Sequence, residues 1–176
     1  RCFRGAEEDV LFRYYECARN YQADYIVRVT ADCPFVDYDM ANEIVELMNR
    51  RPCDMVRIVD ELKLTRGLVA EIISFPCLEF LQSHVTDPEE REHVTYHVKR
   101  HIDQFHTIPY TAPDYYYHSQ LRVTVDTEAD YELCRKIAER FPEQLLVPSA
   151  EVIDFLLGHP DIASINAHIK HKPVHF

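Results

Sequence analysis

Along the 176 residues the apolar positions switch repeatedly between a helical period and an extended one. Val10, Leu11, Tyr14, Tyr15, Ala18 and Tyr21 recur at helical spacing, which predicts an amphipathic helix from Glu8 to Tyr21. Tyr25 to Thr30 is rich in β-branched and aromatic residues, as a strand is. Cys33-Pro34 ends that strand, because proline has no N–H for a ladder and drives the residue before it towards an extended shape. A second helix is predicted from Asp39 to Asn49, through Met40, Ile44, Leu47 and Met48, and strands at Met55 to Val59 and Ala70 to Phe75. Pro76 suits the first turn of a helix reaching about Val85.

Asp87-Pro88-Glu89-Glu90 reads as an N-cap, a first helical residue and a carboxylate reaching back to the cap, opening a helix that runs to about His101. Pro109 and Pro113 make "FHTIPYTAPDYYYHSQ" a loop or edge segment, whose three consecutive tyrosines cover core edges or line a pocket. Leu121 to Val125 is predicted as a strand, Thr127 as the cap of a helix from Glu128 to Arg140, and Ser149 as the cap of another that stops at Gly158. Strands alternating with helices predict an α/β three-layer sandwich on a mostly parallel mixed sheet, with its ligand site at strand carboxyl ends.

With 47% hydrophobic residues the chain can bury a substantial core, and a single domain over residues 1–176 is expected. Apolar runs are strand-sized and no charged, apolar leader is visible, so neither a membrane span nor a signal peptide is expected and the cytoplasm is the expected compartment. Six cysteines without a C-x-x-C pair read as reduced thiols. A net charge of -11 argues against nucleic acid as a partner, since that grip needs cationic side chains. An anionic small substrate would need local arginines or a divalent cation.

"VRVTADC", residues 27–33, and "LRVTVDT", residues 121–127, share one plan and each ends a predicted strand in an aspartate, Asp32 and Asp126. Two carboxylates delivered to one sheet edge repel unless a cation or a proton lies between them, and a hard cation with oxygen ligands fits. Magnesium is the expected ion, because one or two protein carboxylates suffice when water and substrate phosphates complete its shell. Phosphoryl chemistry follows from that reading. Asp126 can equally be a helix N-cap.

"FRGAEEDVLFRYYECARNYQADYIVRVTADCPFVD", "RGLVAEIISF", "EREHVTYHV" and "LRVTVDTEADYELCRKI" together resemble the cytidylyltransferases similar to spore coat polysaccharide biosynthesis protein SpsF, over Phe3 to about Asn166. The resemblance implies a nucleotide-diphospho-sugar transferase fold and a reaction joining CTP to an acidic sugar with release of pyrophosphate. By motif, it implies that Asp32 and Asp126 are the catalytic, metal-holding aspartates. It likewise implies that Arg66, Gly67 and Glu71 belong to a substrate-side loop and strand and that Glu92 and His93 lie near the sugar. Relatives imply a homodimer. The family's N-terminal strand and glycine- and arginine-containing phosphate loop have no counterpart, and Gly5, Gly67 and Gly158 cannot build a glycine-rich cradle. The chain is therefore expected to be the carboxyl-terminal part of such an enzyme, with little activity alone. Where the family continues Arg-Gly-Leu with aspartate and valine, this chain has Val69 and Ala70.

Rival readings concern a catalytically inactive binding or assembly module of the same fold, and a sugar-nucleotide glycosyltransferase using similar carboxylates. His93, His97 and His101 recur at i, i+4, i+8, a spacing that can bind zinc but more often marks a partly solvated helix face. Cys33 beside Asp32 reads as a small buried hydrophobe rather than a nucleophile. Arg28 and Arg122 are expected to steer substrate phosphate or to pair with neighbouring acids.

Overall fold

The computed structural model describes residues 2–169. Four short strands form one open sheet in the order β1-β3-β2-β4: β1 Tyr25–Arg28, β2 Met55–Ile58, β3 Glu71–Ser74 and β4 Thr107–Tyr110. β3 runs against both of its neighbours, whereas β2 and β4 are parallel, so β1, β2 and β4 point one way and the sheet is mixed. β4 is the edge strand that Pro109 requires, since its missing N–H would leave a gap in a central ladder.

Side chains of successive strand residues leave the sheet on opposite faces, and each face buries its own core. Val56 and Ile72 pack into one cluster with α2 (Tyr38–Arg50), α6 (Glu128–Arg140) and α7 (Ser149–Gly158), through Met40, Ile44, Leu133, Ile137 and Ile153. Met55 and Ile73, one residue along, pack into a second cluster with Leu11 of α1 (Val10–Asn20) and Leu78 and Leu81 of α3 (Phe75–His84). This alternation makes the three layers. No helix among the described residues is long and apolar enough to cross a membrane.

Local signals set most boundaries. Asp37 caps α2, Ser74 caps α3 with a proline in its first turn, and Thr127 with Asp130 closes a reciprocal capping box on α6. Three expectations need correction. The helix predicted from Asp87 to His101 is two pieces, α4 Pro88–Glu92 and α5 Tyr96–Arg100, because Val94 adopts φ 49. Burial of the Val94 side chain in the second cluster holds the valine in that unfavourable conformation. Residues 121–125 are buried up to Thr124, but they join no ladder beyond a single bridge from Arg122 to Arg66. Ser149 does not cap α7: Pro148 takes that position and the serine Oγ is buried without a hydrogen-bond partner among the described residues.

Candidate active site

Asp32 lies in the turn that follows β1, where the Cys33 N–H bonds the Thr30 carbonyl at 3.1 Å. The segment before α6 meets it there: the Val125 N–H donates to the Asp32 carbonyl at 2.7 Å, and the Thr124 hydroxyl donates to that carbonyl at 3.1 Å and to the Asp32 carboxylate at 3.3 Å. Burial pushes the Asp32 carboxyl up, but bonds from Thr30, its own N–H, Thr124 and Cys33 outweigh it and hold the group below the ordinary carboxylate range. Asp32 is thus an anion at neutral pH. The two aspartate-bearing segments, more than ninety positions apart in sequence, are joined by these bonds.

Asp126 is not the helix cap; Thr127 is. Its carboxylate, 44% exposed, pairs with Arg122. Arg122 is itself buried and locked by Asp130, at 2.8 Å to Nε and 3.0 Å to Nη2. Asn166 bonds both the Asp130 carboxylate, at 2.8 Å, and the Arg122 carbonyl, at 3.0 Å. Pairing with acids, one of the two roles expected for Arg122, is therefore the one the structure shows.

Gly67 explains how the segments come together. Its φ is +99°, and a Cβ there would lie 2.8 Å from the Val123 carbonyl carbon and 2.9 Å from the Thr124 nitrogen. The flanking Arg66 backbone bonds Leu121 at 3.2 Å and Val123 at 2.8 Å, while its side chain is exposed. Only glycine permits this approach. Next to it, the Leu68 carbonyl accepts from Asp37, whose carboxylate also takes the Tyr116 hydroxyl at 2.7 Å, tying the Asp32 loop to the same wall. Val69 packs partly buried against the core.

A second polar centre gathers on Glu71, at the start of β3. Arg28 on the paired strand reaches it at 2.7 Å, Lys99 of α5 at 2.7 Å and the Thr95 hydroxyl at 2.9 Å, with Lys99 also 2.7 Å from Glu61. Burial raises the Glu71 carboxyl, yet Lys99 and Arg28 more than reverse this and hold it at about 2. Burial works against the Lys99 charge in turn, but Glu71 and Glu61 raise its pKa above the ordinary lysine value. Arg28, expected either to steer phosphate or to pair with an acid, pairs with Glu71, the residue expected on the substrate side. Lys99 and Thr95 escaped notice in the sequence, although they sit one turn apart and so share a face.

Glu92 and His93 are exposed at the break between α4 and α5, with the His93 ring edge-on to Tyr96 at 5.7 Å. Burial pushes the Cys33 thiol up, which disfavours the thiolate a nucleophile needs, and its nearest polar neighbours are the hydroxyl of Thr30 at 3.2 Å and the Asp32 carboxylate at 3.7 Å. None of the six cysteines is joined in a disulfide.

An uncharacterized protein of Methanocaldococcus jannaschii is 31% identical over 170 residues, covering 97% of this chain and 68% of its own length. Spore coat polysaccharide biosynthesis protein SpsF of Bacillus subtilis is 28% identical over 165 residues, covering 93% and 68%. A solved cytidylyltransferase from Leptospira borgpetersenii serovar Hardjo-bovis superposes with a TM-score of 0.86 at 29% identity, over 96% of this chain and 70% of that one. The family model for cytidylyltransferases matches residues 1–152, and the chain belongs to that nucleotidyltransferase family.

Proposed function

We propose that this chain serves a transfer of a cytidylyl group from CTP to an acidic sugar, releasing pyrophosphate, in polysaccharide biosynthesis. The carrying observation is the junction of the Asp32 turn with residues 124–126, through the Val125 N–H at 2.7 Å and the Thr124 hydroxyl at 3.3 Å. An ionised Asp32 and a 44% exposed Asp126 offer hard oxygen donors suited to magnesium rather than to a soft metal. When bound by Asp32 and Asp126, the ion would neutralise charge on the transferring phosphoryl oxygens. Thr124 and the turn backbone fix the Asp32 carboxylate, and Arg122, anchored by Asp130, keeps Asp126 beside it until an ion competes for that carboxylate. A sugar oxygen would attack the α-phosphorus, forming the new P–O bond as the bond to pyrophosphate breaks.

The test is pyrophosphate release from CTP with acidic and neutral sugars, on this chain and on any longer form of the protein that carries it. Release that requires an acidic sugar and is lost in Asp32→Asn supports the proposal. Turnover of UDP-sugars without CTP would turn the reading to glycosyl transfer. A second reading, an inactive module of the same fold, is favoured by Val69, an apolar residue packed on the core where the resembling family carries a carboxylate. Absence of both turnover and calorimetric binding of CTP with magnesium would select it.

A further inference from the structure

We propose that Glu90, His97 and His101 form a second metal site, for zinc or a similar nitrogen-seeking ion, separate from the aspartates of the proposed reaction. One donor atom from each lies within 4.8 Å of the other two. The carboxylate comes from α4, one imidazole from α5 and the other from the residue that ends α5, so the cluster spans the helix interruption at Val94. His93, the third histidine of the helical spacing, is excluded by that break and faces Tyr96 instead.

The geometry fits a ligand set more closely than a closed hydrogen-bond network. Glu90 is buried, and its Oε2 is engaged by His97 Nδ1 at 2.7 Å. Its Oε1 accepts a long hydrogen bond and ion pair from Arg100 Nη1 at 3.4 Å and lies 3.9 Å from His101 Nε2, beyond hydrogen-bond reach for the imidazole. Two ligands of a tetrahedral zinc stand roughly 3.3–3.5 Å apart, so a small side-chain rotation seats an ion between Oε1 and Nε2. Two imidazoles and one carboxylate with an open fourth position are a zinc donor set, and nitrogen donors select zinc, nickel or copper over magnesium.

The surroundings support rather than obstruct it. His97 is braced edge-on by Phe105 at 5.9 Å, and its ring lies 4.4 Å from that of His101. His101, with 41% of its side chain exposed, provides the entry side and room for a water. Arg100 has its shorter contact to Glu89, at 2.9 Å, and stacks over Tyr96 at 4.1 Å, so it keeps both when Glu90 turns to the ion. An ion there would staple α4 to α5. Because Thr95 and Lys99 of that second piece reach Glu71, the staple would stiffen one wall of the candidate active site.

Calorimetry of the whole chain, with its thiols kept reduced, is run with zinc alone, and with cobalt(II) by absorption. The expected result is a zinc site weakened roughly tenfold or more in Glu90→Gln and in His101→Ala, the latter at a half-exposed position where truncation should leave the fold intact. Zinc should raise the melting temperature of the parent and not of His101→Ala. A triple change of His168, His171 and His175 to alanine should leave the site unchanged, and cobalt should show no thiolate charge-transfer band. Retained affinity in both site variants, loss in the tail variant or a thiolate band would each overturn the assignment.

Discussion

Replacing Gly67 with alanine should unfold the chain more easily and disable it as well. The new Cβ would stand 2.8–2.9 Å from three backbone atoms of Val123 and Thr124, where ordinary contact begins at 3.4 Å, so the opposing backbone must retreat by about half an ångström. Backbone cannot rotate away as a side-chain tip can. A non-glycine residue held at φ +99° costs about 1–3 kcal/mol by itself. Lengthening the bonds from Arg66 to Leu121 and Val123 adds about 1 kcal/mol each at most. A loss of about 3 kcal/mol is expected, a large share of the roughly 5–15 kcal/mol that folds a domain. Urea unfolding should show a lower midpoint at constant slope. Because residues 123–125 carry the bonds that fix Asp32, nucleotidyl transfer should fall even at temperatures where the variant stays folded. A variant within about 0.5 kcal/mol of the parent would refute the steric account. A destabilised but fully active one would refute the link from Gly67 to the aspartate pair.

The Glu71 centre predicts a specific acid sensitivity. Its pKa is about 2 in the folded chain against 4.5 as the reference, so the unfolded chain takes up the proton first as pH falls. A stabilisation on the order of 3 kcal/mol is therefore fully present above about pH 5 and lost as pH drops towards 2. Glu71→Gln should remove that part of the curve of stability against pH and, by leaving Arg28 and Lys99 without their shared anion, cost about 3–5 kcal/mol at neutral pH, read by denaturant melts. Asp32→Asn should lower kcat/KM for nucleotidyl transfer roughly 100-fold or more while changing stability by about 1 kcal/mol at most, since the amide keeps one acceptor for Thr124. Asp130→Asn, in contrast, leaves the buried Arg122 short of its main anion and should cost about 3 kcal/mol in a thermal or urea melt.

Much of this architecture could be read from local chemistry because local chemistry determines it. α2 and α6 begin where a capping side chain sits before a run of helical period, and β4 lies at the edge because of Pro109. The family motifs also named Asp32, Asp126 and Gly67 by position. Two of the misses share a cause: each depends on a partner distant in sequence. The period of residues 88–101 continues through Val94, and only burial of that valine and the reach of Thr95 to Glu71 break the helix. Residues 121–125 have a strand's composition, but the neighbours that meet them are the Arg66–Gly67 turn and the Asp32 turn, which offer single bonds instead of a ladder.

Charge was the least legible property, and it governs how the site can work. Thirty acids in the sequence make almost any arginine a candidate partner for one, so composition could not separate Arg28 on Glu71 from Arg28 on a phosphate. In the folded chain three cations near the site are held by acids, Arg28 and Lys99 by Glu71 and Arg122 by Asp126 and Asp130, whereas the Arg66 side chain beside Gly67 is exposed. An anionic substrate entering beside those three must compete with a carboxylate or rely on a divalent ion. Of these acids Glu71 and Asp130 are buried and expensive to strand, whereas Asp126 is 44% exposed. Asp126 is thus the carboxylate that can leave its arginine at least cost, which makes it the member of the pair free to turn towards an ion while Asp32 stays fixed by Thr124.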